Sequence, residues 1–370
     1  MSIRIGLPDI NIIFTQKAVT AVQRSERGVL CVIMQDAKQE TGIKKFIYKR
    51  GADVVKDDYS TENYTALMRA FDVAVNKVYV LRCKPETEFM DVVKELDKIK
   101  FNYVCTNIVG ESPNNWQDLL SKQVVQYNND NQGHKCVCVC ANPTQADSKY
   151  IIQLKGTGGT LKDGKAVNAE DYIIRIASTL CNLPMNRSLT YYVCEDLASW
   201  DDSYITTEQP IGQWISDGWL TLINDDDEVK CGRAVNSLTT FTSTDTEDMS
   251  YIIIVEAMNL IIEDIYTTFK DYYVGKYKNT LSNQRLFITS VNAYFRQLMR
   301  EEVLDDSYDN HCYVDIESQR LAWLGIGKTE AEDWSDAKVQ EMTFRTIVYL
   351  GGDAKISNAM EDLKFTIALA

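Results

Sequence analysis

Between residues 21 and 245, short segments that are apolar on both faces alternate with helix-like stretches. The segments are VLCVIM (29–34), KVYVLRC (77–83), NYVCTNI (102–108), KCVCVCA (135–141) and LTYYVCE (189–195). A strand with no polar face is covered on both sides, and a helix between two strands lets them run parallel. The intervening stretches supply such helices. STENYTALMRAFDVAV (60–75) opens on a Ser/Thr cap, and PETEFMDVVKELDKI (85–99) begins with Pro and acids. SPNNWQDLLSKQVVQY (112–127) and NAEDYIIRIASTL (168–180) follow, the latter capped by Asn168. The pattern predicts an α/β body: a central, mainly parallel sheet with helices on both faces. Asp163-Gly164 marks a hairpin within 160–167, and the acidic run 225–228 marks another within 219–241. KFIYKR (45–50) reads as a strand with a solvated edge.

Residues 246–358 change character to α+β. In 250–273, Ile254, Met258, Ile261, Ile265, Phe269 and Tyr272 form one helical stripe, with Glu256, Glu263 and Lys270 off it. A second helix, 283–301, carries Phe287, Val291, Tyr294 and Leu298. CYVDIESQRLAWLG (312–325), a helical piece near 335–341 and MTFRTIVYLGG (342–352) complete this part. Both chain ends read as strands. In 1–20, Pro8 resets the phase of an alternation that resumes at Ile10, Ile12 and Phe14. In EDLKFTIALA (361–370), Leu363, Phe365, Ile367 and Leu369 alternate with Lys364, Thr366 and Ala368. Period two predicts half-buried strands that need a sheet to join. The expected organisation is an N-terminal arm (1–20), an α/β body (21–245), a C-terminal domain (246–358) and a C-terminal arm (359–370).

A net charge of −14 over 370 residues repels nucleic acid and anionic membranes, and no long basic block opposes it. Pro8, Asp9 and Asn11 interrupt what a signal peptide needs as its apolar segment, so none is expected. No apolar run approaches the roughly 18 residues of a membrane span, so no membrane insertion is expected. Ten scattered cysteines read as reduced, buried thiols of a cytosolic product.

Motifs for chemistry fail on spacing. The two histidines, His134 and His311, have no nearby nucleophile and orienting group. Cys136, Cys138 and Cys140 lie on one face of a strand, about 7 Å apart per step, whereas zinc needs converging sulfurs. GIGKT (325–329) has Ala322 where a P-loop needs its first glycine, and KGTGG (155–159) opens a hairpin. NDDDE (224–228) lacks the glycine of a calcium loop. No catalytic, cofactor-binding or metal-ligating residue emerges, and the expectation is a non-enzyme without a cofactor.

GRAVNSLTTF (232–241), centred on Val235, Asn236, Ser237 and Leu238, is followed by the helices within 254–279 and 283–304. With IGLPDINIIF at one end and NAMEDLKFTIALA at the other, this order resembles the contractile phage tail sheath proteins. The short sheaths of R-type, phage-tail-like bacteriocins and defective prophages are the nearest in layout. The resemblance implies a structural subunit that stacks as hexameric rings in a helical polymer around an inner tail tube. It further implies contraction that drives the tube through a target cell envelope, with baseplate and tail terminator proteins as further partners. Assembly would occur in the bacterial cytoplasm, and the particle would be extracellular after lysis. In the family, both arms add as strands to a small sheet in neighbouring subunits. Here the inserting residues would be Ile10, Ile12 and Phe14, and Leu363, Phe365, Ile367 and Leu369, with acceptor strands from 342–352 and 312–324. A competing reading is a cytosolic α/β enzyme or nucleotide-binding protein in a strand-swapped dimer, with a pocket at the ends of the parallel strands.

Overall fold

The computed structural model describes residues 22, 27–144, 146–201 and 208–368. Ile10, Ile12 and Phe14 at one end and Leu369 at the other lie outside the described residues. The chain forms two compact units. The described residues of the larger fall within 23–267, 298–308 and 354–370, and those of the smaller are Val22, 268–297 and 309–353.

The strands of the larger unit are β1 (Val29–Gln35), β2 (Ile43–Tyr48), β3 (Lys77–Cys83), β4 (Tyr103–Thr106), β5 (Val137–Ala141), β6 (Ile151–Lys155), β7 (Gly158–Leu161), β8 (Ala166–Asn168), β9 (Leu197–Trp200), β10 (Trp219–Asp225) and β11 (Glu228–Cys231). Eight of them form one sheet in the order β11-β10-β6-β5-β4-β1-β3-β2. Neighbours from β10 to β3 pair in parallel, and only the edge strands β2 and β11 are antiparallel. Edge strand β2 carries the exposed Lys44 and Lys45, charges that discourage further pairing. A second sheet has the order β8-β7-β9.

β1 shows why the central sheet is covered twice. Leu30, Val32 and Met34 join one core layer with Ala66 and Leu67 of α1 (Thr61–Met68) and with Tyr172, Ile173 and Ile176 of α4 (Ala169–Asn182). Val29, Cys31 and Ile33 join the other with Val92 and Leu96 of α2 (Phe89–Leu96) and Leu120 and Val124 of α3 (Trp116–Asp130). Alternate side chains of one strand thus feed both layers. Side-chain caps set three helix starts: Ser60 accepts from the Asn63 amide, Asn115 from Gln117 and Asn168 from Asp171. The helix expected from Pro85 starts only at Phe89, where the preceding Glu88 has no side-chain cap.

Other expectations need correction. LTYYVCE (189–195) is not a strand: Tyr191 takes φ 55°, which breaks the pleat, and only Val193 makes an isolated bridge, to Lys230. The strand that pairs in parallel with β5 on the side away from β4 is β6. Its short run YIIQLK, like any short apolar run, fits strand or buried helix equally. β9 and α5 (Glu208–Ser216) were likewise unmarked by periodicity.

α6 (Ile252–Thr268) ends in a π-helical turn, Phe269–Tyr273, and α7 (Leu281–Arg300) buries Phe287, Val291, Tyr294 and Leu298. The smaller unit continues through β12 (His311–Val314), α8 (Ile316–Gly325), α9 (Asp336–Glu341) and β13 (Leu350–Asp353). The stretches 312–324 and 342–352 are therefore strand only over β12 and β13. Asp315 ends the first strand by capping α8, accepting from the Ser318 amide at 2.9 Å.

Candidate assembly site

The segment that leads to the C-terminus is fastened to the larger unit in steps. Leu304 pairs with Ile356, and the Ser357 amide donates to the Val303 carbonyl at 3.0 Å. Lys355 Nζ lies 2.7 Å from Asp305 Oδ2. Further on, Thr190 and Ser188 hydroxyls donate to Glu361 Oε1 at 2.7 and 3.2 Å. Arg233 Nε stands 3.5 Å from Glu361 Oε2, and Arg233 Nη2 donates to Asp362 Oδ1 at 2.6 Å. The Glu361 side chain is only 7% exposed. Hydrogen bonding and charge from Arg233 hold the Asp362 carboxyl below its usual range.

Past Asp362 this fastening stops. Leu363, Phe365 and Ile367 are 88%, 76% and 70% exposed, and residues 361–368 form no helix or strand. Three large apolar side chains at period two thus stand in solvent on a segment whose root is held by ions.

In the smaller unit, β12 and β13 pair antiparallel, His311 opposite Asp353 and Val314 opposite Leu350, as a two-stranded sheet among the described residues. A Cβ at Gly351 would lie 2.8 Å from the Tyr313 ring, so the glycine lets that ring lie across the strand. Beside the lead-in to β13, Phe269, Tyr273 and Phe287 form an aromatic cluster with centroids 4.7–5.2 Å apart between Phe287 and its two partners. Asn279 Nδ2 donates to the carbonyls of Phe344, Arg345 and Ile347, fixing that lead-in.

The residues considered for chemistry have other surroundings. Cys136, Cys138 and Cys140 pack in the core layer with α2 and α3, and burial pushes the Cys136 thiol well up. All ten cysteines are free, nine of them buried. Among the described residues, no group of three or more His, Cys, Asp and Glu side chains could hold a metal ion. Gly156 of KGTGG and Gly327 of GIGKT serve turns, with φ +127° and +87°, while Gly158 and Gly159 belong to β7 and Gly325 closes α8. No helix among the described residues is long and apolar enough to cross a membrane.

Residues 244–370 match the family model of the phage tail sheath C-terminal domain, a span that holds α6, the smaller unit's helices and strands, and the C-terminal segment. The tail sheath protein of Clostridium phage phiCD119 is 25% identical over 98% of this chain and 99% of its own length. The fold is shared with the sheath tail protein of Desulfitobacterium hafniense, at TM-score 0.69 and 15% identity, over 83% of this chain and 94% of that one. It is also shared with the helical sheath of the anti-feeding prophage in its contracted state, at TM-score 0.68 and 11% identity, over 98% of this chain and 99% of that one.

These likenesses all point to contractile tail sheath proteins.

The relative and the structural neighbours are sheath proteins of phage tails and contractile injection systems. The VNSL stretch is a buried connector. Val235 bridges Tyr251, and Asn236 is held by the Ser250 and Met249 carbonyls at 2.8 and 2.7 Å. The Ser237 amide donates to the Ile151 carbonyl and its hydroxyl to that of Ser148, while Leu238 is buried. The stretch thereby ties edge-proximal β6 to the entry of α6.

One buried charged group is invisible to helical periodicity. Glu263, expected on the polar side of α6, is fully buried, as is Asp264. His134 Nδ1 lies 3.1 Å from Glu263 Oε1, and His134 Nε2 lies 2.8 Å from the Phe101 carbonyl oxygen. Lys100 pairs with Glu263, and Arg27 pairs with Glu256 and lies 3.8 Å from Glu263. Burial alone would raise the Glu263 carboxyl, but His134 and Lys100 hold it below the usual range. Its partners come from remote segments, which helical periodicity does not register. A lone His beside the run of Cys in HKCVCVC was the only local sign.

Proposed function

We propose that this sheath subunit polymerises by strand exchange into stacked hexameric rings around an inner tail tube. The arms 1–20 and 359–370 leave their own subunit and add to the small sheet of neighbours through Ile10, Ile12, Phe14, Leu363, Phe365, Ile367 and Leu369. The observation that carries the reading is the exposed apolar alternation at Leu363, Phe365 and Ile367 beyond a root that Arg233, Ser188 and Thr190 hold. An open sheet edge accepts such a strand by main-chain hydrogen bonds, while alternate side chains fill pockets. Each bond contributes about 0.5–1.5 kcal/mol and each buried Leu, Ile or Phe about 1.5–3 kcal/mol. Ordering the arm costs roughly 1–2 kcal/mol per residue, so only a whole strand holds. Head-to-tail joints of this kind generate rings or helical filaments.

Contraction then consists of the bodies repacking while the arm-made joints persist, which drives the tube through a cell envelope. The extended polymer is metastable, held by a barrier and by tube and baseplate contacts, with a terminator protein at its far end. Assembly precedes release of the particle from the bacterial cytoplasm. The solved contracted sheath of the anti-feeding prophage supports this reading by its fold. The test is negative-stain microscopy of the purified full chain beside a chain lacking 363–370. The full chain should form rings or tubes and the shortened chain should stay folded and unassembled. Ordered tubes from the shortened chain would overturn the proposal.

A further inference from the structure

The smaller unit carries an open pocket of about 420 Å³. Phe269, Tyr273, Val274 and Phe287 line it, together with Gln284 and the cations Lys278 and Arg345. A volume in this range accepts a ring-sized group. Three local features mark the pocket as built. Phe269–Tyr273 is a single π-helical turn, a device that recurs at functional sites. Arg345 takes φ 45°, a left-handed conformation that costs a non-glycine residue energy, and Asn279 Nδ2 donates to its carbonyl at 3.1 Å. Gln284 is 3% exposed, and its Nε2 donates to Asn279 Oδ1 at 2.8 Å. Its Oε1 has no hydrogen-bond partner among the described residues. A buried acceptor left unpaired is costly until a donor reaches it.

Charge narrows the choice of donor. The chain carries −14 overall, yet 270–285 holds Lys270, Lys276, Lys278 and Arg285 against one acid, Asp271, and Arg345 adds a further cation at the pocket. A ring that bears a hydrogen-bond donor and sits among carboxylates complements such a site. The exposed aromatic side chains among the described residues are Tyr191, Phe241, Tyr266, Tyr308, Tyr313 and Phe365. The two phenylalanines have no donor. Of the tyrosines, only Tyr308, 45% exposed, has exposed acids within three residues on both sides, Asp306 and Asp309. We infer that the acidic loop around Tyr308 of a second copy of this chain docks on this pocket. The Tyr308 ring lies against Phe269, Tyr273 and Phe287, its hydroxyl donates to Gln284 Oε1, and Asp306 and Asp309 face Lys278 and Arg345. The contact uses neither arm. Loop on pocket is a head-to-tail contact, so it leaves one loop and one pocket open at the ends and repeats along a filament.

The test is photo-cross-linking, run on the full chain and on a chain lacking 363–370. Tyr308 is replaced by benzoylphenylalanine in an isotope-labelled copy, which is mixed with unlabelled copies, and linked peptides are read by mass spectrometry. The expected link joins position 308 of a labelled copy to 269–287 of an unlabelled one, in both chains. Excess synthetic peptide of residues 301–310 should suppress it. The same peptide with Tyr308→Phe should compete about three- to tenfold less well, because it cannot donate to Gln284. Arg345→Glu in the unlabelled copy should cut the yield about tenfold, and Asp306→Lys in the labelled copy should restore it. Lys278→Glu, on a separate segment, should act as Arg345→Glu does. Links confined within one copy, or made to another region of the unlabelled copy, overturn the inference, as does a yield that both charge reversals leave unchanged. Equal competition by the two peptides overturns the role given to Gln284. A link lost on removing 363–370 overturns the independence from the arms, whereas failure of strand exchange alone leaves the link in place.

Discussion

Phe365→Ala separates what the arm does for its own subunit from what it does for a neighbour. Phe365 is 76% exposed in the single chain, so truncating it removes almost no intrachain burial. Unfolding of the unassembled variant should shift by less than about 0.5 kcal/mol, as at other exposed sites. In a strand-exchange joint the same ring is buried, and its loss removes about 1.5–3 kcal/mol per joint. Every 1.4 kcal/mol is about a factor of ten in an equilibrium constant, so the concentration needed for assembly should rise about 10- to 100-fold. Sedimentation across a dilution series, scored with negative-stain images, measures that concentration. Denaturant unfolding of the dilute protein measures the first quantity. An unchanged assembly concentration would refute the reasoning. So would a large loss of stability in the dilute variant, because Phe365 would then serve its own subunit.

Glu263 is held below the usual carboxylate range, so its stabilisation is present above about pH 4.3 and is lost as pH falls through its lowered folded value. Denaturant titrations from pH 7 to 3 should show that loss, and Glu263→Gln should flatten it while costing about 1–3 kcal/mol at neutral pH through the lost charge-assisted hydrogen bonds. Arg233→Ala should speed amide exchange at 357–362 and leave exchange in the central sheet unchanged; uniform speeding throughout would count against a local anchor. Gly218 has φ +78°, and a Cβ there would lie 2.9 Å from Ser237 Cα. Gly218→Ala should therefore destabilise the body by about 1–3 kcal/mol in urea unfolding, and a neutral result would contradict the tight approach of the VNSL stretch.

The doubly covered parallel sheet was legible from segments such as VLCVIM and KCVCVCA, because a strand apolar on both faces has only one kind of environment open to it. The helix caps at Ser60 and Asn168 were legible for the same local reason, and so was the alternation of Leu363, Phe365 and Ile367. Tertiary structure decided the rest. Tyr191 turns 189–195 out of the sheet, and YIIQLK enters it, because sheet membership depends on which remote edge is free. Glu263 is buried because Arg27, Lys100 and His134 arrive from elsewhere in the chain, and helical periodicity registers none of them. The root of the arm depends on Arg233, Ser188 and Thr190, more than a hundred residues upstream of Glu361. Hydrophobic period is a property of neighbours in sequence, so it identified the apolar alternation of Leu363, Phe365 and Ile367. Hydrogen bonds and ion pairs across long separations belong to the folded chain, so only the fold could single out the root that holds that segment.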